Sequence, residues 1–506
     1  MKRFRRCLLP LLLLLFAVTP IAPAQSPSVL KITILHLNDL HGHILPYIDK
    51  SVNENTPVSG SATLAEMIEE ERAANPDGTL LLAAGDMFQG TPVSNIFKGK
   101  PVIDVMNYLK FDAMALGNHE FDWGRENLGN LITSADFPFL SGNILESDGK
   151  ILPGVRPYVI LSRKGLKIAI IGATTPETAY STKPTNIAGL TFSDPVEMLP
   201  ALVRDVRDQG ANLVILLSHL GLDVDKDVAR HVPGIDVIVG GHSHTVVTDP
   251  LPVGNTIIVQ AGYYGLYLGV LKLEVDKATH KILDYNKEHE LKPVFSGTDK
   301  PRAEKVAQMV GKYNEMIETE FSKVVGATSV DLTRNPVAES NIGDLLCDAM
   351  REATGADIAL QHGGGIRADL LRGKIRLNEV YTVLPFDNFL VLMTLSGGQI
   401  LRLLEQSGSL NGKILQVAGM TVVFDLTKPA GTRVVKALVG GAALDAARDY
   451  RVATNDFLAA GGDEFTTFTE GRDVVHGDLL TEVLVDYLGN HSPVSYQVDS
   501  RITLIR

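Results

Sequence analysis

Apolar runs that end abruptly in clusters of polar residues are the main pattern of the first 250 or so positions. Continuous apolar runs of this length, bounded by Gly or Ser, predict buried strands. The polar residues that follow them would lie at the carboxyl edge of a sheet, where open α/β sheets place their sites. Five runs show the pattern: 32–38 before Asp39 and His41, 79–85 before Asp86, 113–117 before Asn118 and His119, 213–218 before His219, and 237–241 before His242 and His244.

Helical spacing of apolar residues at 62–74 and 196–209 alternates with these runs, which is typical of layered α/β domains. Residues 299–323 then show a longer helical pattern that predicts one helix between two domains. A second α/β pattern follows it. At 506 residues the chain is too long for one ordinary domain. We therefore expect a first α/β domain at 29–297, a linking helix at 298–323 and a second α/β domain at 324–506.

The N-terminus has the layout of a secretory signal. An apolar stretch at 8–18 follows four cations and precedes the small residues Ala22 and Ala24. The stretch is short for a membrane span, although an uncleaved anchor is the alternative. We expect cleavage of residues 1–24, a periplasmic or secreted protein, and no membrane anchor afterwards. The four cations are Lys2, Arg3, Arg5 and Arg6.

The charge balance bears on the partners of the chain. The formal net charge is −12, and loss of the four signal cations gives −12 − 4 = −16. A surface this acidic repels nucleic acid polymers, so a phosphate-bearing substrate needs local positive charge, most economically from metal ions. Cleavage also removes Cys7 and leaves Cys347 as the only thiol, which excludes an intramolecular disulfide.

The residues at the five strand ends have the chemistry of metal ligands. Asp39 and His41 stand two apart, so on an extended strand they would point to one side and share a cation. The two oxygens of Asp86 could bridge two cations. Mixed nitrogen and oxygen donors favour Zn²⁺, Mn²⁺, Fe²⁺ or Co²⁺ over Ca²⁺ and Mg²⁺. Two such ions about 3.5–4 Å apart clamp a phosphoryl group and lower the pKa of bound water to about 7. Further donors for a second ion are Asn118, His219 and His242, with His244 reaching back to the first.

A single His or Asp at a strand end is more often a cap than a ligand. Five strand ends that carry such residues together favour a metal centre. His36 lies inside a predicted strand and His43 in the loop after one, so both are predicted to be structural.

In this order the five blocks resemble the calcineurin-like metallophosphoesterases, and with the C-terminal blocks the chain resembles the secreted 5′-nucleotidases. The resemblance implies a four-layer α/β/β/α metal domain, a linking helix and a second α/β domain that binds the nucleoside. The C-terminal blocks are Asn341-Ile342-Gly343-Asp344, Gly363-Gly364-Gly365-Ile366-Arg367, Leu384-Pro385-Phe386-Asp387-Asn388, Asn455-Asp456-Phe457 and Gly461-Gly462-Asp463.

The resemblance also implies roles for single residues. His119 and Asp122 match the catalytic pair of the family, in which the carboxylate orients the imidazole. Glu120, between them, is predicted to be structural. One metal would be held by Asp39, His41, Asp86 and His244, and the other by Asp86, Asn118, His219 and His242.

In the second domain the resemblance implies that Phe386 and Phe457 clamp the base. Such stacking contributes about 1–3 kcal/mol per base and accepts any base. Asp463 would hold the ribose hydroxyls, Arg367 would lie near the phosphate or ribose, and Asn388 would complete the substrate pocket.

The chain departs from the family pattern at two places. Pro336 stands where relatives have an arginine, and Arg334 is the nearest cation. Gln361 and His362 precede the glycines where relatives often have Asn or Ser. These departures leave the base preference open.

The expected function is removal of the 5′-phosphate from nucleoside monophosphates, with nucleotide sugars and diphosphates as further candidate substrates. The alternatives are a 2′,3′-cyclic nucleotide phosphodiesterase, a thiosulfohydrolase of the same superfamily, and a secreted binding protein without activity. The oligomeric state stays open.

Overall fold

The computed structural model describes residues 28–49, 52, 56–288, 290–296, 301–410 and 414–506. The predicted signal at 1–24 and the first residues of the predicted linking segment, 298–300, lie outside those residues.

The N-terminal half is built around two mixed sheets. Its strands are β1 (Val29–Leu37), β2 (Thr79–Ala83), β3 (Ala113–Ala115), β4 (Phe139–Leu140), β5 (Ile144–Glu146), β6 (Val155–Arg156), β7 (Tyr158–Arg163), β8 (Leu166–Thr174), β9 (Leu190–Phe192), β10 (Leu213–His219), β11 (Val237–Val239), β12 (Leu251–Val253), β13 (Thr256–Val259), β14 (Tyr267–Asp276), β15 (Ile282–Tyr285) and β16 (Leu291–Pro293). Its helices are α1 (Ser61–Ala74), α2 (Pro92–Asn95), α3 (Lys100–Leu109), α4 (Gly124–Ser134), α5 (Thr178–Ser181), α6 (Pro195–Asp208), α7 (Leu222–His231) and α8 (Pro301–Phe321), with 3₁₀ turns at His119–Phe121 and Pro184–Asn186.

The first sheet has the order β15-β14-β1-β2-β3-β4-β6, with β16 against β14, and the second has the order β12-β13-β11-β10-β8-β7. Their inner faces pack together through alternate strand residues such as Leu82 and Leu217. The next residue along each strand faces outward, so Leu81 packs under α1, α3 and α4, and Leu216 packs under α6 and α7. These helices and sheets form the four α/β/β/α layers that the family resemblance implied. Burial on both faces explains why the central strands are continuously apolar.

The predicted linking helix, α8, is a single helix that continues through Gly311. Val306 and Val310 are buried in the same core as α1 and α3, so much of the helix packs on the outer layer of the first domain. Near its C-terminus, Phe321 contacts Tyr381 of the second domain, with ring centroids 5.0 Å apart. The helix therefore bridges the two halves.

The C-terminal half is a second α/β unit. Its strands are β17 (Val324–Thr328), β18 (Ile358–His362), β19 (Gly373–Arg376), β20 (Phe389–Ser396), β21 (Leu415–Ala418), β22 (Met420–Asp425), β23 (Val434–Val439), β24 (Ala442–Ala443), β25 (Asp449–Asn455), β26 (Arg472–Leu479) and β27 (Ile502–Ile505). Its helices are α9 (Asn341–Thr354), α10 (Leu377–Val383), α11 (Gly397–Ser409), α12 (Asp456–Ala459) and α13 (Leu480–His491), with 3₁₀ turns at Gly363–Gly365, Gly462–Glu464 and Thr466–Glu470.

A five-stranded sheet of order β21-β18-β25-β20-β26 forms the centre of this unit. One of its faces packs on α9 and α13, and the other packs on α11 and the sheet β24-β23-β22-β27. The glycine turn after β18 and the short helix after β25 leave the sheet at neighbouring strands, because β18 and β25 are parallel. Within the described ranges, no helix combines the length and apolarity needed to cross a membrane.

Candidate active site between the two domains

The carboxyl ends of five parallel strands converge at one edge of the first domain. β1, β2 and β3 are parallel neighbours in one sheet, and β10 and β11 are parallel neighbours in the other. Stacking of the two sheets brings both edges together. Three groups of potential ligand atoms result, each with its atoms within 4.8 Å of one another: the first is Asp39, His41 and His244, the second is Asp86, His219 and His242, and the third, His41, Asp86 and His119, overlaps both.

The first group is closely packed. His41 Nε2 lies 3.2 Å from His244 Nε2, and His244 Nε2 lies 3.4 Å from Asp39 Oδ1. Two imidazole nitrogens so close to a carboxylate oxygen suit a cation between them. Burial, together with the positive charge of Arg367, holds the pKa of His41 well below its ordinary value. A neutral imidazole is the form that binds metal.

Asp86 links the two groups. Its Oδ2 lies 3.8 Å from His41 Nε2 and 3.1 Å from His219 Nε2. Asn118 Oδ1 lies 3.3 Å from His219 Nε2 and adds an oxygen donor to the second group. This shared position is the one expected of a carboxylate that bridges two ions.

Backbone carbonyl groups orient two of the imidazoles. His41 Nδ1 donates to Gln89 O at 2.8 Å, and His219 Nδ1 donates to Ala84 O at 2.7 Å. These bonds fix the Nε2 atoms towards the carboxylates, as in metal sites where a second hydrogen bond orients the ligand. The donor set and its orientation therefore fit two divalent cations with mixed nitrogen and oxygen ligands.

Most of the predicted ligands have left-handed backbone angles. Non-glycine residues in this region are strained, and such strain clusters at functional sites. Asp39 and His41 therefore converge through a turn after β1, and our expectation that an extended strand would align them was wrong. The positive φ angles are 48° at Asp39, 48° at His41, 53° at Asp86, 74° at His242 and 54° at His244.

Two glycines give the ligands their space. A Cβ on Gly85 would lie 2.4 Å from His219 Nδ1, and one on Gly117 would lie 2.2 Å from Asp86 Oδ1. Both contacts are far below van der Waals distance. The glycines in the Gly-Asp and Gly-Asn-His blocks are therefore required by the close approach of the ligands.

His119 and Asp122 form the predicted pair. His119 Nδ1 lies 2.7 Å from Asp122 Oδ2, within the 3₁₀ turn that follows β3. Burial lowers the pKa of His119, but the carboxylates of Asp122 and Asp86 outweigh it and raise the pKa above its ordinary value. The bond to Asp122 leaves Nε2 as the nitrogen available to a substrate.

Glu120 points away from the cleft. Its carboxylate accepts hydrogen bonds from the backbone N–H groups of Asp86, Met87 and Gly117, at 2.9, 2.9 and 2.7 Å. It is 1% exposed. Glu120 thus holds together the two loops that carry Asp86 and Asn118, which is the geometry of the structural role predicted for it.

The two other histidines near β1 have partners outside the ligand groups. His36 Nε2 lies 2.5 Å from Glu290 Oε1, with both side chains fully buried. His43 stacks on Tyr264 with ring centroids 4.1 Å apart. Neither belongs to a potential ligand group among the described residues.

Both domains line one cavity of about 760 Å³. From the first domain it receives residues of the ligand groups and the His119–Asp122 pair. From the second it receives all five predicted substrate residues: Arg367, Phe386, Asn388, Phe457 and Asp463.

The two predicted clamp rings sit in different surroundings. Phe386 stacks on His119 across the cleft, with centroids 5.5 Å apart and planes 25° apart, and Arg367 Cζ lies 5.7 Å from the same ring. Phe457 lies beside His362, with centroids 5.3 Å apart. Phe386 thus connects the second domain to His119 of the predicted catalytic pair, whereas Phe457 contacts a residue of its own domain.

The residues that depart from the family pattern can also be located in the structure. His362 lines the cavity, with Nε2 3.9 Å from Asp463 Oδ2. Pro336 packs against the glycine turn, because a Cβ on Gly363 would lie 2.8 Å from its Cα. Arg334 is not among the residues that line this cavity.

Contacts across the cleft were not predicted from the sequence. Lys98 Nζ lies 3.0 Å from Asp387 Oδ2, and Lys183 Nζ lies 2.7 Å from Asp456 Oδ2. Gln89 and Asn95 also donate to the carbonyl oxygen of Pro385. These lysines and amides lie in loops and a short helix without any marked hydrophobic pattern, so nothing in the single sequence distinguishes them.

Comparison with known proteins shows which family the chain resembles. The family model for the calcineurin-like phosphoesterases matches residues 32–246, and the model for the 5′-nucleotidase C-terminal domain matches residues 321–470. The chain is 32% identical to 5′-nucleotidase from Bos taurus over 95% of this chain and 92% of that protein. It is also 32% identical to the trifunctional nucleotide phosphoesterase protein YfkN from Bacillus subtilis (strain 168), but spans only 35% of that longer protein.

Among solved structures, the 5′-nucleotidase precursor from Thermus thermophilus matches with a TM-score of 0.86 and 34% identity, over 94% of this chain and 100% of that one. Matches over nearly the whole length at this identity, together with both domain models, identify the family. The chain belongs to the 5′-nucleotidase family of calcineurin-like phosphoesterases and is a hydrolase that acts on phosphate monoesters.

Proposed function

We propose that this protein removes the 5′-phosphate from nucleoside monophosphates in the cleft between its domains. The observation that carries the proposal is a cavity that both domains line: Asp86, Asn118, His119, His242 and His244 on one side, and Arg367, Phe457 and Asp463 on the other. A nucleotide has a phosphate, which would contact the first set of residues, and a nucleoside, which would contact the second. Neither domain alone lines both parts.

Two divalent ions, when bound, would supply Lewis acidity and a nucleophile at neutral pH. Their ligands would be Asp39, His41, Asp86 and His244 for one, and Asp86, Asn118, His219 and His242 for the other. Zn²⁺, Mn²⁺, Fe²⁺ and Co²⁺ suit these donors.

The remaining roles belong to side chains that reach the substrate. His119, held by Asp122, would donate a hydrogen bond from Nε2 to the phosphoryl group or its leaving oxygen. Arg367 lies 3.4 Å from His41 Nε2 through its Nη2, and its charge would attract the phosphate. In this role its guanidinium would offset part of the negative charge of the protein.

The nucleoside would be held by the second domain. Phe386 and Phe457 would stack on the base, Asp463 would accept hydrogen bonds from the ribose hydroxyls, and Asn388 would close the pocket. Stacking does not discriminate between bases, so the base preference would depend on edge contacts from residues such as His362.

The test uses the purified full chain, stripped of metal and reloaded with Mn²⁺, Zn²⁺ or Co²⁺. Phosphate release is compared for nucleoside 5′-monophosphates, 3′-monophosphates, 2′,3′-cyclic nucleotides, UDP-glucose and a small aryl phosphate. We expect the highest kcat/KM for the 5′-monophosphates. A higher kcat/KM for cyclic nucleotides, or equal kcat/KM for the 5′- and 3′-monophosphates, would contradict the proposed substrate class.

Export is part of the same proposal. The cationic and apolar pattern of residues 1–24 supports it, as does the description of the Thermus thermophilus relative as a precursor. N-terminal sequencing of protein collected from the periplasm or the medium should begin at Gln25. Protein retained in the cytoplasm with an intact N-terminus would contradict export without affecting the enzymatic proposal.

A further inference from the structure

A second group of carboxylates lies in the C-terminal half. Glu339, Asp344 and Asp499 each place an oxygen within 4.8 Å of the others. Glu339 precedes α9, Asp344 lies in its first turn, and Asp499 precedes β27. None of them lines the cleft cavity. The group is therefore separate from the proposed catalytic site.

The central carboxylate of this group lacks hydrogen bonds. Asp344 is fully buried, and neither of its oxygens has a hydrogen-bond partner among the described residues. A buried carboxylate without hydrogen bonds is unfavourable unless a cation or a proton compensates it. Burial raises the pKa of Asp344 to about 8; the charge of Arg501 lowers the pKa, and the charges of Glu339 and Asp499 raise it. The side chain thus faces negative charge as well as Arg501.

Arg501 is the nearest cation, but its hydrogen bonds go elsewhere. Its Nη1 and Nη2 each lie 2.9 Å from an oxygen of Asp348, and its Nε lies 3.0 Å from Asp499 Oδ1. The closest approach of Nε to Asp344 is 3.6 Å, which is an ion pair without a hydrogen bond. One guanidinium among four carboxylates, Glu339, Asp344, Asp348 and Asp499, leaves a formal charge of 1 − 4 = −3.

Glu339 has free acceptor capacity. Its oxygens accept backbone N–H groups from Asp499 and Ile502 at 3.0 and 2.8 Å. Each carboxylate oxygen can accept two such bonds, so each retains a lone pair. Asp499 is exposed, which gives an ion a route from solvent.

We propose that Glu339, Asp344 and Asp499 bind a hard divalent cation, with Ca²⁺ as the preferred ion. The donors are all oxygens, which suit Ca²⁺, whereas the cleft offers nitrogen and oxygen together. The ion supplies the positive charge that Arg501 cannot deliver to Asp344. It ties the start of α9 to the segment that leads into β27, and thereby fixes the last strand to the second domain.

The test is equilibrium dialysis of the full chain with radioactive Ca²⁺, after the protein has been loaded with Zn²⁺ to fill the cleft and free Zn²⁺ has been removed. We expect about one Ca²⁺ per chain in the wild type. Asp499→Asn, at an exposed position, should weaken Ca²⁺ binding roughly tenfold or more because ligand charge sets affinity. Asp344→Asn should abolish it. Both variants should retain nucleotide hydrolysis.

Asp86→Asn is the matched control, because it alters the cleft and should keep the bound Ca²⁺. A second readout is the melting temperature, which Ca²⁺ should raise in the wild type and not in Asp344→Asn. Absence of Ca²⁺ binding in the Zn²⁺-loaded wild type would overturn the proposal. So would equal Ca²⁺ binding in Asp499→Asn, which would place any bound ion elsewhere.

Discussion

At the scale of single residues, Asp86 and Glu120 show how two carboxylates in one loop pair take different roles. Asp86 Oδ2 lies near imidazole nitrogens and its Oδ1 accepts the backbone N–H of His119, whereas both Glu120 oxygens accept only backbone N–H groups. The first arrangement fits a cation, and the second is satisfied by the protein itself. In the sequence both are acidic residues beside a predicted metal centre. Only their hydrogen-bond partners in the structure distinguish the two roles.

The first prediction compares these two residues. Asp86→Ala should abolish activity and lower the bound metal, because Asp86 would touch both ions. Glu120→Gln should destabilise the loops, since the amide N–H₂ would then face either the backbone N–H of Met87 or those of Asp86 and Gly117. Its activity should therefore recover as the metal concentration rises, whereas that of Asp86→Ala should not. Metal analysis and kcat at a series of Mn²⁺ concentrations measure both effects, and equal losses without recovery would place Glu120 on a metal.

The second prediction concerns His119. If its imidazole acts on the substrate and not on a metal, His119→Ala should lower kcat by about 10²–10⁴ with the metal content unchanged. Asp122→Asn is the companion variant, because it keeps the shape but removes the carboxylate that orients Nδ1. It should lower kcat by less than His119→Ala. Loss of metal from the alanine variant would instead indicate that His119 is a metal ligand.

At the scale of elements, the sequence predicted the strands well for a physical reason. β2 and β10 are covered on both faces, so their apolar residues are continuous and their ends are sharply marked by Gly85 and His219. Burial of both faces also removes the alternation of apolar and polar residues along a strand. The sequence therefore does not indicate which of the two sheets each strand joins. The sequence therefore located the strand ends but not the two-sheet arrangement, which came from the family resemblance.

The loops after the strands were less predictable. The left-handed φ angles at Asp39 and His41 take the backbone out of the extended conformation that the sequence predicted. Only contacts with the rest of the site select such angles for residues other than glycine. Similarly, Lys183 and Asp456 meet across the cleft, at positions 273 apart in the chain, and no local pattern indicates such a contact.

The third prediction concerns an ion cluster that holds α1 to the first sheet. Glu71 of α1 is 6% exposed and pairs with Lys272 of β14 and Lys292 of β16. Although burial opposes it, hydrogen bonds from the two ammonium groups hold its pKa below the ordinary value. Glu71→Gln should cost roughly 1–3 kcal/mol of unfolding free energy at pH 7, less than a fully buried pair because both lysines are half exposed.

The pH dependence of this loss follows from the direction of the shift. A carboxylate with a lowered pKa stabilises the fold above its unfolded pKa of about 4.3, and the contribution disappears as the pH falls through the lower folded value. Denaturant unfolding at pH 7 and at decreasing pH should therefore show the two proteins converging in acid. Glu70→Gln, at an exposed position of the same helix, is the control. A difference that persists in acid would assign the loss to packing.

At the scale of the whole molecule, the contacts described across the cleft are mainly polar. They include two ion pairs, Lys98 with Asp387 and Lys183 with Asp456, the hydrogen bonds of Gln89 and Asn95 to the Pro385 carbonyl oxygen, and the stacking of Phe386 on His119. Interfaces of this kind permit domain motion, which an enzyme that encloses its substrate needs for product release. Because α8 packs along the first domain, its C-terminal end near Phe321 is the expected hinge.

The last prediction tests whether the two domains share one nucleotide. Phe386→Ala with Phe457→Ala should remove about 2–6 kcal/mol of stacking, the sum of two faces at 1–3 kcal/mol each. The loss should appear as a decrease of at least about 30-fold in kcat/KM for a 5′-monophosphate. A small aryl phosphate has no base to clamp, so its hydrolysis reports on the catalytic centre alone.

The single variants make the comparison sharper, because the two rings have different neighbours. Phe386 stacks on His119, so its removal can also disturb the catalytic pair and slow the aryl phosphate. Phe457 contacts His362 within the second domain, so Phe457→Ala should impair the nucleotide and leave the aryl phosphate unchanged. If Phe457→Ala slows both substrates equally, the ring is a packing residue. The nucleoside-binding role of the second domain then fails, while membership of the family and the metal centre of the first domain stand.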